Sequence, residues 1–143
     1  MSNKEIITFC DRNDFVELLK KNPNILVLKF GSDVWCGPCK KIRPIIDNFF
    51  ASTPDDVLIC DFDVDENFDL YAFMKSKRVV NGIPVLLAYV QGNHNPLAPD
   101  CSVVGINPDE IDTFFRKLGA IRSRLNQIKT NIASRPENYN FIG

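Results

Sequence analysis

Histidine is nearly missing from this chain of 143 residues: His94 stands alone, so no site built on two imidazoles can form within it. Long apolar runs are missing too, none approaching the ~18 to 20 residues of a membrane span. After Met1 to Glu5 only Ile6 and Ile7 are apolar before Thr8, which is not the h-region of a secretory signal. Charge of one sign is not in excess. Seventeen basic against eighteen acidic side chains give a net charge of −1, which argues against a nucleic-acid binder working by bulk charge. Five cysteines, an odd number and unevenly spaced, do not make a disulfide scaffold. What is present is 45% hydrophobic and 24% charged residues, a globular composition at a length that suits one domain. The expectation is a soluble, intracellular domain.

Periodicity predicts alternating strands and helices. Ile6 to Phe9 reads as a short strand, and Asp11, Asn13 and Asp14 as N-cap types before a helix carrying Phe15, Leu18 and Leu19. Ile25 to Phe30 is apolar except for Lys29, as in a strand buried on both faces. A helix over 36–50 follows, with Ile42, Ile45, Ile46, Phe49 and Phe50 inward and Pro44 expected to kink it or loosen one turn. Val57 to Phe62 predicts a second buried strand, and 67–75 a helix facing the core with Phe68, Leu70, Tyr71 and Met74. Val85 to Val90 is a strand after Gly82-Ile83-Pro84, 92–100 a loop, and Cys101 to Val104 a short strand. Pro108, Asp109 and Glu110 open a last helix. Its apolar residues, Ile111, Phe114, Leu118, Ile121, Leu125, Ile128 and Ile132, recur at steps of 3 and 4, and Ser134 to Gly143 is a polar tail. This order predicts an α/β fold of three layers, α/β/α, around a mixed central sheet.

The chemistry concentrates in Trp35-Cys36-Gly37-Pro38-Cys39-Lys40, between a buried strand and a helix. Two thiols two residues apart can close a small disulfide ring. A thiol at the first turn of a helix faces the positive end of the helix dipole, which favours the nucleophilic thiolate. Gly37-Pro38 fixes the turn at a position where a helix needs no backbone donor. Half of a zinc site is the alternative, but His94, Cys10, Cys60 and Cys101 include no second CxxC to complete it. No metal is expected.

WCGPCK at 35–40, Pro44, the strand ending at Phe30, Gly-Ile-Pro at 82–84 and Gly105 together closely resemble the thioredoxin family, over about Glu5 to Leu118. The resemblance implies a thioredoxin fold for 1–118, with a C-terminal helical extension and tail over 119–143. It implies a thiol-disulfide oxidoreductase in which Cys36 attacks a substrate disulfide and Cys39 resolves the mixed disulfide. Pro84 would be the family's cis-proline, with Ile83 pairing its backbone to an extended substrate and Gly105 nearby. Trp35 would flank the dithiol, with Gly37, Pro38 and Lys40 completing the motif. No cofactor is implied beyond the Cys36–Cys39 disulfide, and the partners are disulfide-containing proteins and a thioredoxin-reductase-like electron donor.

The chain departs from the family in several places. One residue is extra between Phe30 and Trp35, which predicts a bulge, and the helix before Pro84 and the 92–100 loop are longer than usual. Where many relatives carry a buried Asp before that Phe, Lys29 stands here. A lysine in a buried strand needs a partner. Its amine either reaches water or a carboxylate such as Asp61 or Asp63, or it lies near Cys39 and stabilises thiolates. Cys60 reads as a core residue, and Cys10 and Cys101 as bystander thiols. The carboxylates Asp61, Asp63, Asp65 and Glu66 read as a solvated strand end rather than a metal loop.

Beyond Leu118 the last helix is basic, and its apolar stripe either folds back on the domain or pairs with a second copy. The competing functional reading is a thioredoxin-fold interaction module similar to splicing proteins, with Lys29-Phe30-Gly31 as the resembling strand end; the intact CxxC favours the enzyme. Neither nucleic acid nor membrane is an expected partner. The expected compartment is the cytoplasm. Fourteen Asn and fourteen Ile suggest an AT-rich genome, and a large DNA virus as source would add the virion.

Overall fold

The structure, a computed structural model, describes residues 4–134. Its elements run β1 (Ile6–Ile7), α1 (Arg12–Lys20), β2 (Ile25–Gly31), α2 (Gly37–Ser52), β3 (Val57–Asp63), α3 (Phe68–Ser76), β4 (Val85–Val90), β5 (Cys101–Val104) and α4 (Pro108–Ala133). The sheet order is β1-β3-β2-β4-β5. β1, β3 and β2 are parallel, while β4 runs antiparallel to β2 and β5 to β4. The mixed sheet lies between two helical layers, as the composition of its strands requires.

β2 is the central strand and all seven of its residues are buried. Alternation sends Leu26, Leu28 and Phe30 into one core with Phe15, Leu19, Leu70 and Met74 from α1 and α3. It sends Ile25 and Val27 into the other, with Ile42, Ile46 and Phe50 of α2 and Ile111, Phe114 and Leu118 of α4. The same alternation puts Lys29 on the α2 face, which decides its surroundings.

Local chemistry sets the element ends. The Asp11 carboxylate accepts from the Asp14 N–H at 2.8 Å and starts α1. The Asn107 side chain accepts from Asp109 and Glu110 at 2.9 and 3.2 Å, with Pro108 in the first turn of α4. Pro44 lies inside α2, which continues as one helix from Gly37 to Ser52.

Two details differ from expectation. β1 stops at Ile7 because a buried side chain takes over from the sheet. Asn67 Oδ1 accepts from the Cys10 N–H at 2.8 Å, and its Nδ2 donates to the Thr8 carbonyl at 3.0 Å. Phe68, expected inward, is exposed at the start of α3, where Leu70 and Met74 fill the core. The apolar stripe of α4 is buried only as far as Leu118: Ile121 is half-buried, and Ile128 and Ile132 are exposed. The tail expected after Ser134 lies outside the described residues. α4 itself passes Leu118 without a break.

Candidate active site

The site forms where β2 gives way to α2. The extra residue of this stretch is absorbed in a turn over Asp33 to Trp35, whose buried Ser32 hydroxyl accepts from the Val34 and Trp35 N–H groups at 3.2 and 3.3 Å. Cys36 then takes the N-cap of α2, and its sulfur accepts from the Cys39 N–H at 3.2 Å. At the positive end of the helix dipole, and with the Cys39 N–H donating to it, that sulfur is favoured as an anion. Cys36 and Cys39 are joined as a disulfide, with Cα atoms 5.2 Å apart. Cys39 is fully buried and Cys36 is 6% exposed.

Around the pair, Gly37, Pro38 and Lys40 are exposed on the first turn of α2. Trp35 is 59% exposed, and its indole N–H donates to Asp65 at 2.8 Å, which orients the ring beside the dithiol. The β2–β4 register pairs Phe30 with Val85, so the preceding Ile83-Pro84 falls at the same end of the sheet as the dithiol. The Ile83–Pro84 peptide is cis. The Gly105 N–H donates to the Pro84 carbonyl at 3.0 Å, and Gly105 has φ 97°, a left-handed conformation that favours glycine. Beside it Val104 and Ile106 expose apolar surface, as do Val34 and Trp35 near the disulfide.

Beneath the dithiol lies a charged cluster. Lys29 is 1% exposed, and its Nζ lies 3.3 Å from Asp61 Oδ1 on the neighbouring β3 position. Arg43, one helical turn beyond Cys39, holds the other Asp61 oxygen at 2.5 Å and also pairs with Asp33 at 2.9 Å. Burial works against the Arg43 charge, but these carboxylates outweigh it and hold the guanidinium above its ordinary pKa. The cluster approaches Cys39 across Gly31. A Cβ there would sit 3.2 Å from Lys29 Nζ and 3.3 Å from Cys39 Sγ, so amine and sulfur face the same small space. Thr8, Asp63 and Glu66 join these charged residues in lining a polar cavity of about 330 Å³.

Of the two readings of Lys29, the structure thus shows elements of both: a carboxylate partner, which is Asp61, and proximity to Cys39. Arg43 went unnoticed in the sequence; an arginine four residues after a candidate cysteine on one helix face is the signal that could have found it. The acidic run after β3 is used locally. Asp63 accepts from the N–H groups of Asp65 and Glu66, and Asp65 accepts from Trp35. Among the described residues no group of three or more His, Cys, Asp or Glu side chains is arranged to hold a metal ion.

The other three cysteines are buried free thiols. Burial, aided by Asp14 and Asp11, pushes the Cys10 thiol up to about 12. Burial also raises Cys60 and Cys101, the latter against the pull of Lys117. A thiol held protonated is a poor nucleophile, which separates these three from the reactive pair.

The chain is similar to known proteins. A family model described as Thioredoxin matches residues 6–117. The chain is 31% identical over 91 residues to a thioredoxin of Pseudomonas aeruginosa, covering 64% of this chain and 79% of that one. It is 40% identical over 60 residues to thioredoxin-1 of Caenorhabditis elegans, covering 41% of this chain and 50% of the relative. Among solved structures it is similar to thioredoxin NaTrxh of Nicotiana alata, with TM-score 0.63 and 26% identity over 85% of this chain and 96% of the other. Mitochondrial thioredoxin 3 of Saccharomyces cerevisiae, in its oxidised form, aligns with TM-score 0.62 and 27% identity over 78% and 94%. With a closed dithiol at a helix start, a cis-proline at the same sheet end and these matches, the chain belongs to the thioredoxin family and is a protein-disulfide oxidoreductase of that family.

Proposed function

We propose that Cys36 is the attacking thiolate and Cys39 the resolving thiol in the reduction of protein disulfides. The observation that carries this division is the difference in exposure: the Cys36 sulfur is reachable at the helix cap, whereas Cys39 is fully buried behind it. Cys36 sulfur attacks one sulfur of a substrate disulfide, forming a mixed disulfide and releasing the other substrate sulfur as a thiolate, which takes a proton from solvent. Cys39, after losing its proton, attacks Cys36 Sγ. The Cys36–Cys39 disulfide forms and the second substrate thiolate leaves, so two electrons pass to the substrate. A flavin or thiol reductase of the thioredoxin-reductase kind then returns two electrons to the disulfide.

Substrate seats along the exposed apolar border of the dithiol, with the Ile83 backbone offering strand-like pairing beside Pro84 and Gly105. Lys29 tunes the pair: its ammonium, facing the same gap as Cys39 Sγ, favours the thiolate and so the reduced form. Body and extension act as two parts, 1–118 carrying the chemistry and 119–143 serving another purpose. A cytoplasmic setting agrees with a reduced electron donor, and no further cofactor is needed for this chemistry.

Trapping tests the assignment. Cys39→Ser incubated with a disulfide-containing protein is expected to accumulate a mixed disulfide through Cys36, seen by mass spectrometry and lost on adding dithiothreitol. Accumulation in Cys36→Ser instead would reverse the two roles.

A further inference from the structure

Past Leu118, α4 is held to the body by a line of polar residues. Arg122 Nε donates to Asp56 at 2.6 Å, Asn126 accepts from the Asn24 amide at 2.9 Å, and Lys129 Nζ donates to the Pro23 carbonyl at 3.0 Å. The apolar residues lie beside this line. Leu118, Leu125 and Ile132 occupy a positions of a heptad and Ile121 and Ile128 the d positions. The first of these is buried, but Ile128 and Ile132 are 44% and 57% exposed. With Ile121 and Leu125 half-buried, the helix is fastened along one side while its seam turns outward toward the C-terminal end.

The flanks of that seam decide what fits it. The g positions hold Lys117 and Arg124 and the e positions Arg122 and Lys129, with no Asp or Glu from Thr113 to Ser134. In a parallel pair g faces e of the partner, and in an antiparallel pair g faces g and e faces e. Arg122 and Lys129 are taken up by the body, so a partner meets the g flank, and a second copy packed antiparallel sets Lys117 and Arg124 against the same basic residues. The outward apolar arc is also narrow. At about 100° per residue, Ile121, Leu125, Ile128 and Ile132 span roughly 60°, the seam of a coiled coil rather than the wide face that lies in a lipid surface.

We infer that the outer seam of α4, Leu125, Ile128 and Ile132 flanked by Lys117 and Arg124, docks an acidic amphipathic helix of another protein. Asn24 and Asp56, which anchor this part of α4, precede β2 and β3, whereas Cys36 follows the opposite end of β2. Docking there leaves the dithiol free to react while the bound protein is held at the other end of the sheet.

The probe is a labelled helical peptide of three heptads with Leu at a and d and Glu at e and g, titrated by fluorescence anisotropy with the full chain. A second peptide carries Lys at e and g. The Glu peptide is expected to bind at least tenfold more tightly than the Lys peptide, and less tightly as salt rises. The double variant Ile128→Asp with Ile132→Asp should lose at least tenfold, and Arg124→Glu at least threefold, both keeping wild-type insulin reduction and helix content. All three side chains are exposed, so folding does not depend on them. Equal affinity for both peptides, or affinity untouched by the variants, overturns the inference. So does sedimentation of the full chain as a dimer that Ile128→Asp dissociates, or binding to phosphatidylserine vesicles in preference to the Glu peptide.

Discussion

Lys29 is the one buried lysine among the described residues, and its neighbours explain why it can stay there. Asp61 faces it across the β2–β3 register, and Arg43 takes the other carboxylate oxygen. The pair is unequal. Losing Lys29 leaves Asp61 paired with Arg43, whereas neutralising Asp61 strands an ammonium that is 1% exposed. Asp61→Asn is therefore expected to lower unfolding stability by about 3–5 kcal/mol, and Lys29→Met by clearly less, in urea denaturation. The redox role proposed for Lys29 has its own readout. Lys29→Met should make the Cys36–Cys39 potential more negative, by on the order of 30 mV, against a glutathione or dithiothreitol buffer. An unchanged potential removes Lys29 from the mechanism. The cysteines sort at this scale as well: in the reduced protein at neutral pH, iodoacetamide should modify Cys36 first and leave Cys10, Cys60 and Cys101 intact, since burial holds those three protonated.

At the scale of elements, side chains far apart in sequence set boundaries that periodicity does not reveal. Asn67 ends β1 by binding Thr8 and Cys10, and Asn67→Ala leaves that buried backbone unpaired. A loss of about 1–3 kcal/mol is expected on denaturation; a change near zero contradicts the clamp. The strands β2 and β4 were legible almost to the residue, because buried inner strands read as continuous apolar runs between turn signals. Tertiary partners were not legible. The stripe of α4 beyond Leu118 allows either folding back or pairing, and its second half is held to the body by Arg122, Asn126 and Lys129, whose partners lie 66 to 106 residues away. The Arg122 contact holds the Asp56 carboxyl below its usual pKa, chiefly through the hydrogen bond. A depressed carboxyl contributes stability above its unfolded pKa, about 3.9, and loses it as pH falls through the folded value. An NMR titration following the Arg122 Nε–H should thus show a transition below pH ~3.9, and a midpoint at or above that value contradicts the contact.

For the whole molecule, a net charge near zero conceals an uneven layout. The dithiol, Trp35 and the Pro84 turn gather at the end of the sheet where β2 hands over to α2, and the basic, seam-bearing half of α4 is fastened near the other end. The reactive pair was legible because its chemistry is local: two cysteines, a glycine and a proline in one turn. The cluster below it was legible only in part, because Lys29 drew attention by being out of place while Arg43 looked like any helix arginine. The central claim is that this dithiol reduces protein disulfides. The direct measurement is insulin reduction driven by dithiothreitol or a thioredoxin reductase, comparing the wild-type chain with Cys36→Ser. A rate well above the donor alone for wild type, and none above it for Cys36→Ser, is the predicted result. Equal rates for the two proteins, or no rate above background with any donor, would contradict it and leave the fold as a binding module.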